Sequence, residues 1–223
     1  MNFTGFIRDN SGLVLAYTAN HVSLVIGVLL LSLALWITTG LLISRHARLA
    51  GAVIGLGNVV FCIPSISLFG LFMSVPGLGL GRRTATVVLV LYAMMPLIRS
   101  VHTGIRCVDA AVVDAGKGMG MTSLQLLLKI QLPMAWPAVF AGIRVTVVLI
   151  TGIATMATFI GERNLGRLIH QGITRGDADM IVAGALIVSL IALLLDYLMG
   201  RIERIIISPG LRFQSLEPYR GSA

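Results

Sequence analysis

Five long apolar runs constrain this chain more than anything else in it. They cover about 21–43, 51–75, 84–105, 137–160 and 180–199. At ~1.5 Å of rise per helical residue, about 20 residues cross the ~30 Å hydrocarbon core of a bilayer. Inside lipid every backbone polar group must be satisfied within the protein, so runs of this length fold as helices. The chain is 57% hydrophobic and only 12% charged over 223 residues, more apolar surface than a soluble domain of that size can bury. The expected class is an all-α integral membrane protein with five transmembrane helices. The N-terminus has no basic stretch before its first run, and that run is too long for a signal peptide, so it is read as a retained span.

The interruptions carry the next information. Pro64 lies inside the second run, between Ile63 and the hydroxyls of Ser65 and Ser67, which are expected to help satisfy the freed carbonyls. Pro96 is expected to bend the third span. Residues 161–179 are polar enough, and long enough, for a short re-entrant or surface helix. Residues 1–20 read as a surface segment, 21–205 as the membrane domain and 206–223 as a basic tail. Gly, Ala, Ser and Thr are abundant in the runs and permit close helix packing, as around Gly55, Gly70 and Ala141.

The net charge of +8 would suggest nucleic acid in a soluble protein, but here the basic residues fall between the apolar runs and report topology instead. With 109–133 on the cytoplasmic side, ten Lys and Arg residues lie inside and six outside, which favours an outer N-terminus and an inner C-terminus. Arg144 falls within the fourth span and Asp196 near the inner end of the fifth. Intramembrane charges are candidate functional residues, although both lie near enough to the inner face to snorkel. Cys62 and Cys107 make neither a disulfide framework nor a metal cluster. His21, His46, His102 and His170 read as interfacial side chains. No Ser/His/Asp set, carboxylate pair or metal-ligand cluster can be assembled, so no catalytic residue is expected. The order of parts in GKGMGMT from Gly116 does not match a phosphate-binding loop. Aromatic residues are 6% of the chain and scattered, so no aromatic cage for a cation is apparent.

The stretch 109–133, DAAVVDAGKGMGMTSLQLLLKIQLP, is the one polar, sharply punctuated segment between the runs. Asp109 can cap a helix that starts at Ala110 and runs to about Lys117, with Asp114 and Lys117 adjacent at i,i+3. Gly116, Gly118 and Gly120 loosen its end, and Gly120 suits the left-handed position after it. Thr122 followed by Gln125 is a capping box, so a second helix starts there. Leu124, Leu127, Leu128 and Gln131 form its apolar face. Pro133 should push Leu132 into an extended conformation and stop it. The expected product is a helix–turn–helix knob too short and too polar to span a bilayer.

The same stretch carries a resemblance. Asp114-Ala115-Gly116, three residues, Gly120, nine residues, Ile130, one residue and Leu132-Pro133 resembles the EAA loop of binding-protein-dependent ABC importer permeases. In that family the pattern is Glu-Ala-Ala, three residues, Gly, nine, Ile, one and Leu-Pro. Asp114 and Gly116 are the two conservative departures. IPSISLFGLF from Ile63, PGLGLG from Pro76, LYAMMPLIRSVHTGI from Leu91 and DAAVVDAGKGMG from Asp109 look like the osmoprotectant branch, which moves glycine betaine, choline and carnitine. One departure stands out. Gly161-Glu162-Arg163-Asn164-Leu165-Gly166 occupies a place where relatives read Gly-Ala-Gly-Gly-Leu-Gly.

The resemblance implies a type I ABC importer permease of MetI-like fold in a prokaryotic inner membrane, with its coupling loop at 106–133. It implies a second permease (the same chain or a paralogue), two ABC ATPase subunits that bind the ATP and Mg, and an extracytoplasmic solute-binding protein; this chain would bind no cofactor and no nucleic acid. ATPase coupling falls to Asp114, Ala115, Gly116, Gly120, Thr122, Leu124, Leu127, Ile130, Leu132 and Pro133. Pro64, Ser65, Ser67, Pro96 and Arg144 are candidates for the path or gate, and Glu162 and Arg163 for contact with the binding protein. The rival readings are the same machine carrying methionine, an amino acid or a sulfonate, and a secondary transporter or channel without an ATPase.

Overall fold

The structure, a computed structural model, describes residues 3–207, and every regular element among them is helical. In chain order these are α1 (Phe3–Asp9), α2 (Ser11–Ile43), α3 (Ala47–Cys62), α4 (Ser65–Met73), α5 (Arg82–Arg106), α6 (Ala110–Gly118), α7 (Ser123–Ile160), α8 (Gly166–Arg175) and α9 (Ala178–Ile206). Helices α2, α5, α7 and α9 are each long and apolar enough to cross a membrane, and α3 with α4 passes as a pair bent by 98°. The tail from 208, with Arg212 and Arg220, lies outside the described residues.

Contacts define the two ends of the bundle. At one end the Gly81 amide donates to the Ile160 carbonyl at 2.8 Å, and α4 and α8 both pack on the Thr155–Ile160 turn of α7. At the other end the Arg45 guanidinium donates to the Ser123 carbonyl at 2.7 Å. The chain leaves the second end at α3 and reaches the first with α4, so the bent pair is a crossing. Five crossings result, and the start of α2 and the end of α9 lie at opposite ends.

The core is the antiparallel pair α5 and α7, the most extensive contact in the molecule. Small residues bring the two backbones together. A β-carbon on Gly104 would sit 3.0 Å from that of Ala138, and one on Gly142 would sit 2.1 Å from the Ser100 hydroxyl oxygen. Around this seam Leu97, Val101, Val139, Ile143 and Val147 are buried. Helix α2 covers the seam with Leu24, Val25 and Val28, and the Trp36 indole donates to the Val90 carbonyl at 2.7 Å. His21 belongs to this buried face; it is fully enclosed rather than interfacial. Helix α9 is peripheral and turns Leu186, Leu190, Leu193 and Leu194 outward, as a lipid-facing helix must.

The elements differ from the sequence expectation in identifiable ways. Helix α2 starts at Ser11, so half of the expected surface segment is continuous with the first span. The last span is longer than 180–199, and α8 is the short helix anticipated within 161–179. Pro64 breaks its span outright. Ile63 before it is extended, with φ −72° and ψ 128°, as proline demands of its neighbour. The Ile63 carbonyl accepts from the Tyr92 hydroxyl of α5, not from Ser65 or Ser67. Pro96, by contrast, sits inside the uninterrupted α5. Pro133 does not stop its helix: Leu132 is helical, with φ −66° and ψ −46°, and α7 runs on through Pro133 and Pro137. The reason lies just upstream. Leu127–Gln131 forms a wider π turn, which relieves the clash a proline ring makes with the carbonyl four residues back.

Candidate functional site

The knob is built as its local chemistry dictates. The Asp109 carboxylate accepts from the Ala111 amide at 2.8 Å and starts α6. Gly120 ends it with φ +76°. The Gly120 amide donates to Lys117 at 2.9 Å and the Met121 amide to Gly116 at 3.2 Å, the paired bonds of a left-handed helix terminus. The Thr122 amide then donates to the Gln125 side chain at 2.8 Å, while the Gln125 amide donates to the Thr122 hydroxyl at 3.3 Å. All three caps leave few backbone groups free to fray.

Tertiary packing makes the knob rigid. Gly116 is the crossing point of α6 and α7: a β-carbon there would lie 2.6 Å from Leu126 and 3.0 Å from Ile130. The glycine at the second Ala position of the EAA pattern is thus a spacer between two helices rather than a loosened helix end. Leu126 and Leu127 are buried, Leu127 within the main core. Leu127 therefore anchors the knob to the bundle and offers no surface. The most exposed apolar residues of the knob are Leu124, Leu128 and Met119, exposed by 55%, 49% and 72%, with Val112 less so. Leu126, Met119 and the Arg45 brace carried no pattern in the sequence, because each depends on where a distant helix lies. Asp114 and Lys117 pair at 2.9 Å on the surface, and Ala115 and Thr122 are also exposed. Between the knob and the α2–α3 turn lies a cleft of about 790 Å³, edged by Arg45, Arg106, Asp114 and Lys117.

The two intramembrane charges are one unit. Arg144 of α7 donates two 2.8 Å bonds to the Asp196 carboxylate of α9, and its third edge lies 3.5 Å from Glu203. Pro64, Ser65 and Ser67 sit at the α3–α4 break, away from this pair, and Pro96 lies against Gly142 in the α5–α7 seam. The path candidates therefore do not converge on one spot within this chain.

At the opposite end Glu162 and Arg163 part company. Glu162 is turned inward, 7% exposed, with Arg82 of α5 at 3.5 Å; Arg163 faces solvent. Burial pushes the Glu162 carboxyl up, and Arg82 pulls it partly back. Asn164 is fully buried and staples the loop: its amide donates to the Ala154 carbonyl at 2.7 Å, and its side-chain oxygen accepts from Gly166 at 2.8 Å. Glu162 is consequently a structural strut in this chain, not an exposed docking residue.

A bundle of five membrane crossings with a rigid, triply capped knob at one end is the architecture of a membrane permease, and the chain belongs to the family "binding-protein-dependent transport system inner membrane component", whose model matches residues 31–208. It is 36% identical over 215 residues to the osmoprotectant import permease protein OsmW of Salmonella typhimurium, covering 95% of this chain and 100% of that one. It is 33% identical over 207 residues to the glycine betaine/carnitine/choline transport system permease protein OpuCB of Bacillus subtilis, covering 93% and 94%. Among solved structures, an inward-facing form of the MetNI methionine ABC transporter aligns with a TM-score of 0.79 at 20% identity, over 90% of this chain and 99% of that chain. An amino acid ABC transporter aligns with a TM-score of 0.76 at 16% identity, over 92% and 98%. The fold is that of type I ABC importer permeases, and the chain is a multi-pass membrane permease subunit.

Proposed function

We propose that this permease forms the translocation path of an ATP-driven importer of quaternary ammonium compatible solutes such as glycine betaine, choline and carnitine. The cargo rests on the relatives: the two described above are named for osmoprotectant and for glycine betaine, carnitine and choline transport. The single observation that carries the mechanism is the rigid knob. A push on it reaches α7 directly, because the knob's second helix and the fourth span are one helix.

The working assembly in this reading pairs the chain with a second permease, the same chain or a paralogue. Two cytoplasmic ATPase subunits hold the ATP and Mg, hydrolyse the ATP and press on Leu124, Leu128 and Met119, with Asp114 and Lys117 as the polar handle. A solute-binding protein docks at the opposite end, where Arg163 is the exposed member of its loop. The N-terminus lies outside and the C-terminus in the cytoplasm.

The test is Gly120→Asp. Gly120 holds a positive φ, so any side chain strains the turn by about 1 kcal/mol, and a new charge lands at the docking surface. The variant should insert normally but lose at least half of its co-purifying ATPase, or hydrolyse ATP without driving uptake of labelled betaine, choline or carnitine into vesicles. Wild-type levels of both would remove the knob from the mechanism. Uptake of methionine, and none of the three quaternary amines, by the wild type would overturn the cargo alone.

A further inference from the structure

The exposed side of α3 has two halves. Leu49 and Leu56 form an apolar stripe, as a lipid-facing surface must. The other half carries Asn58 and Cys62, neighbours at i,i+4 and both exposed. A β-carbon on Gly51 or Gly55, further back along that half, would meet nothing within 4 Å, which leaves room beside the amide.

Depth sets Asn58 apart. Arg45, braced on the knob, marks one end of the crossing. Asn58 lies about 16 Å along α3 from Ala47 at ~1.5 Å per residue, near the middle of a ~30 Å hydrocarbon core. Thr38, Thr146 and Thr151 in other spans each donate to a carbonyl of their own helix. The Asn58 side chain makes no hydrogen bond among the described residues, and neither do the hydroxyls of Ser65 and Ser67 just past the break.

The backbone points the same way. Ile63 and Pro64 are extended, with ψ 128° and 133°, and Pro64 and Ser67 are exposed. Non-helical backbone at membrane depth persists only where protein covers it or water reaches it. An unpaired amide against acyl chains is strongly unfavourable as well. Lipid is therefore excluded from this half of the broken span. Broken helices near the midplane are where transporters place polar groups for a solute to meet, and water in such a path satisfies all three side chains at once.

We propose that Asn58 lines the translocation path and takes the polar end of the passing solute. Its N–H groups donate to a carboxylate, and its carbonyl accepts from a hydroxyl. That chemistry suits glycine betaine, choline and carnitine alike and rests on the cargo proposed above; the place of Asn58 in the path does not.

The experiment uses vesicles holding the assembled transporter, with Cys62 and Cys107 replaced by Ser and single cysteines at Asn58→Cys or Leu56→Cys. A charged thiosulfonate, which reacts only where water reaches, should modify Asn58→Cys at least about tenfold faster than Leu56→Cys, and excess glycine betaine should slow it. Asn58→Leu should lower maximal uptake about tenfold, the effect of one lost hydrogen bond to a charged group, with ATPase co-purification unchanged. Asn58→Gln should keep most of the uptake. Equal, slow labelling at the two positions would overturn the proposal. Efficient disulfide cross-linking of two copies through Asn58→Cys would overturn it in favour of a permease interface. Fast labelling that no solute slows, with wild-type uptake in Asn58→Leu, would overturn the solute contact. Protection by methionine and not by glycine betaine would uphold the path at Asn58 and overturn the cargo alone.

Discussion

Glu162 illustrates what a single residue's environment decides. The sequence marks it with Arg163 as a charged departure in a polar loop, and exposure is the natural expectation. The structure buries it because Asn164 and Gly166 pull the loop onto the end of α7 while Arg82 waits on α5. A carboxyl raised by burial binds its proton more tightly folded than unfolded. Its folded form is then favoured below the ordinary carboxylate range, and that advantage is lost as pH rises through the raised value. Stability of this end, read by hydrogen exchange in α8, should therefore increase as pH falls from neutral toward the carboxylate range. Glu162→Gln should flatten the dependence without weakening transport. The Arg144–Asp196 pair should behave differently. Arg144→Met leaves two carboxylates facing each other near lipid and should cost about 2 kcal/mol, below the range for a fully buried pair because the arginine side chain is 40% exposed. Asp196→Leu added to it should recover part of the loss in a thermal melt in detergent. An equal or larger loss in the double variant would show that the pair contributes nothing beyond its packing.

At the scale of elements, local chemistry was legible and long-range chemistry was not. The caps at Asp109, Gly120 and Thr122 involve partners within five residues, so their residue types and spacing suffice to read them. Prolines show the converse. Pro64 breaks a helix, Pro96 and Pro133 do not, and nothing within three residues of each tells them apart. Tyr92 receives the carbonyl freed at Ile63, and the π turn before Pro133 absorbs its ring; the first partner lies 29 residues away. Gly116 was legible as small but not as a helix crossing, because Leu126 and Ile130 meet it only once the knob has folded. The capping box can be tested alone. Thr122→Ala should destabilise the start of α7 by about 1 kcal/mol, a several-fold rise in amide exchange over Ser123–Leu126. Uptake should fall with it while membrane insertion stays normal. Unchanged exchange at those amides would mean that packing on α6, not the cap, holds the knob.

For the molecule as a whole, hydropathy revealed the number of crossings and left their connection open. A pair of helices bent by 98° is either a broken span or a re-entrant hairpin, and the two place the termini on opposite sides or on the same side. Contacts decide it: α3 starts beside the knob, where Arg45 braces Ser123, and α4 ends against the Thr155–Ile160 turn. What remains for experiment is which end faces out. The proposed orientation, with the knob inside, rests on the basic bias, because Lys and Arg near short loops are retained on the cytoplasmic side. With Cys62 and Cys107 replaced by Ser, single cysteines at Asn10→Cys and Arg175→Cys should react with an impermeant thiol reagent in intact cells. Ser123→Cys should react only after the cells are opened. Arg175 is preferable to its neighbour Gly176, whose φ of +67° a β-carbon would strain. Reaction at Ser123→Cys in intact cells would turn the molecule over. Reaction at only one of the first two positions would mean that α1 and α8 do not share a side, and the five-crossing bundle itself would have to be redrawn.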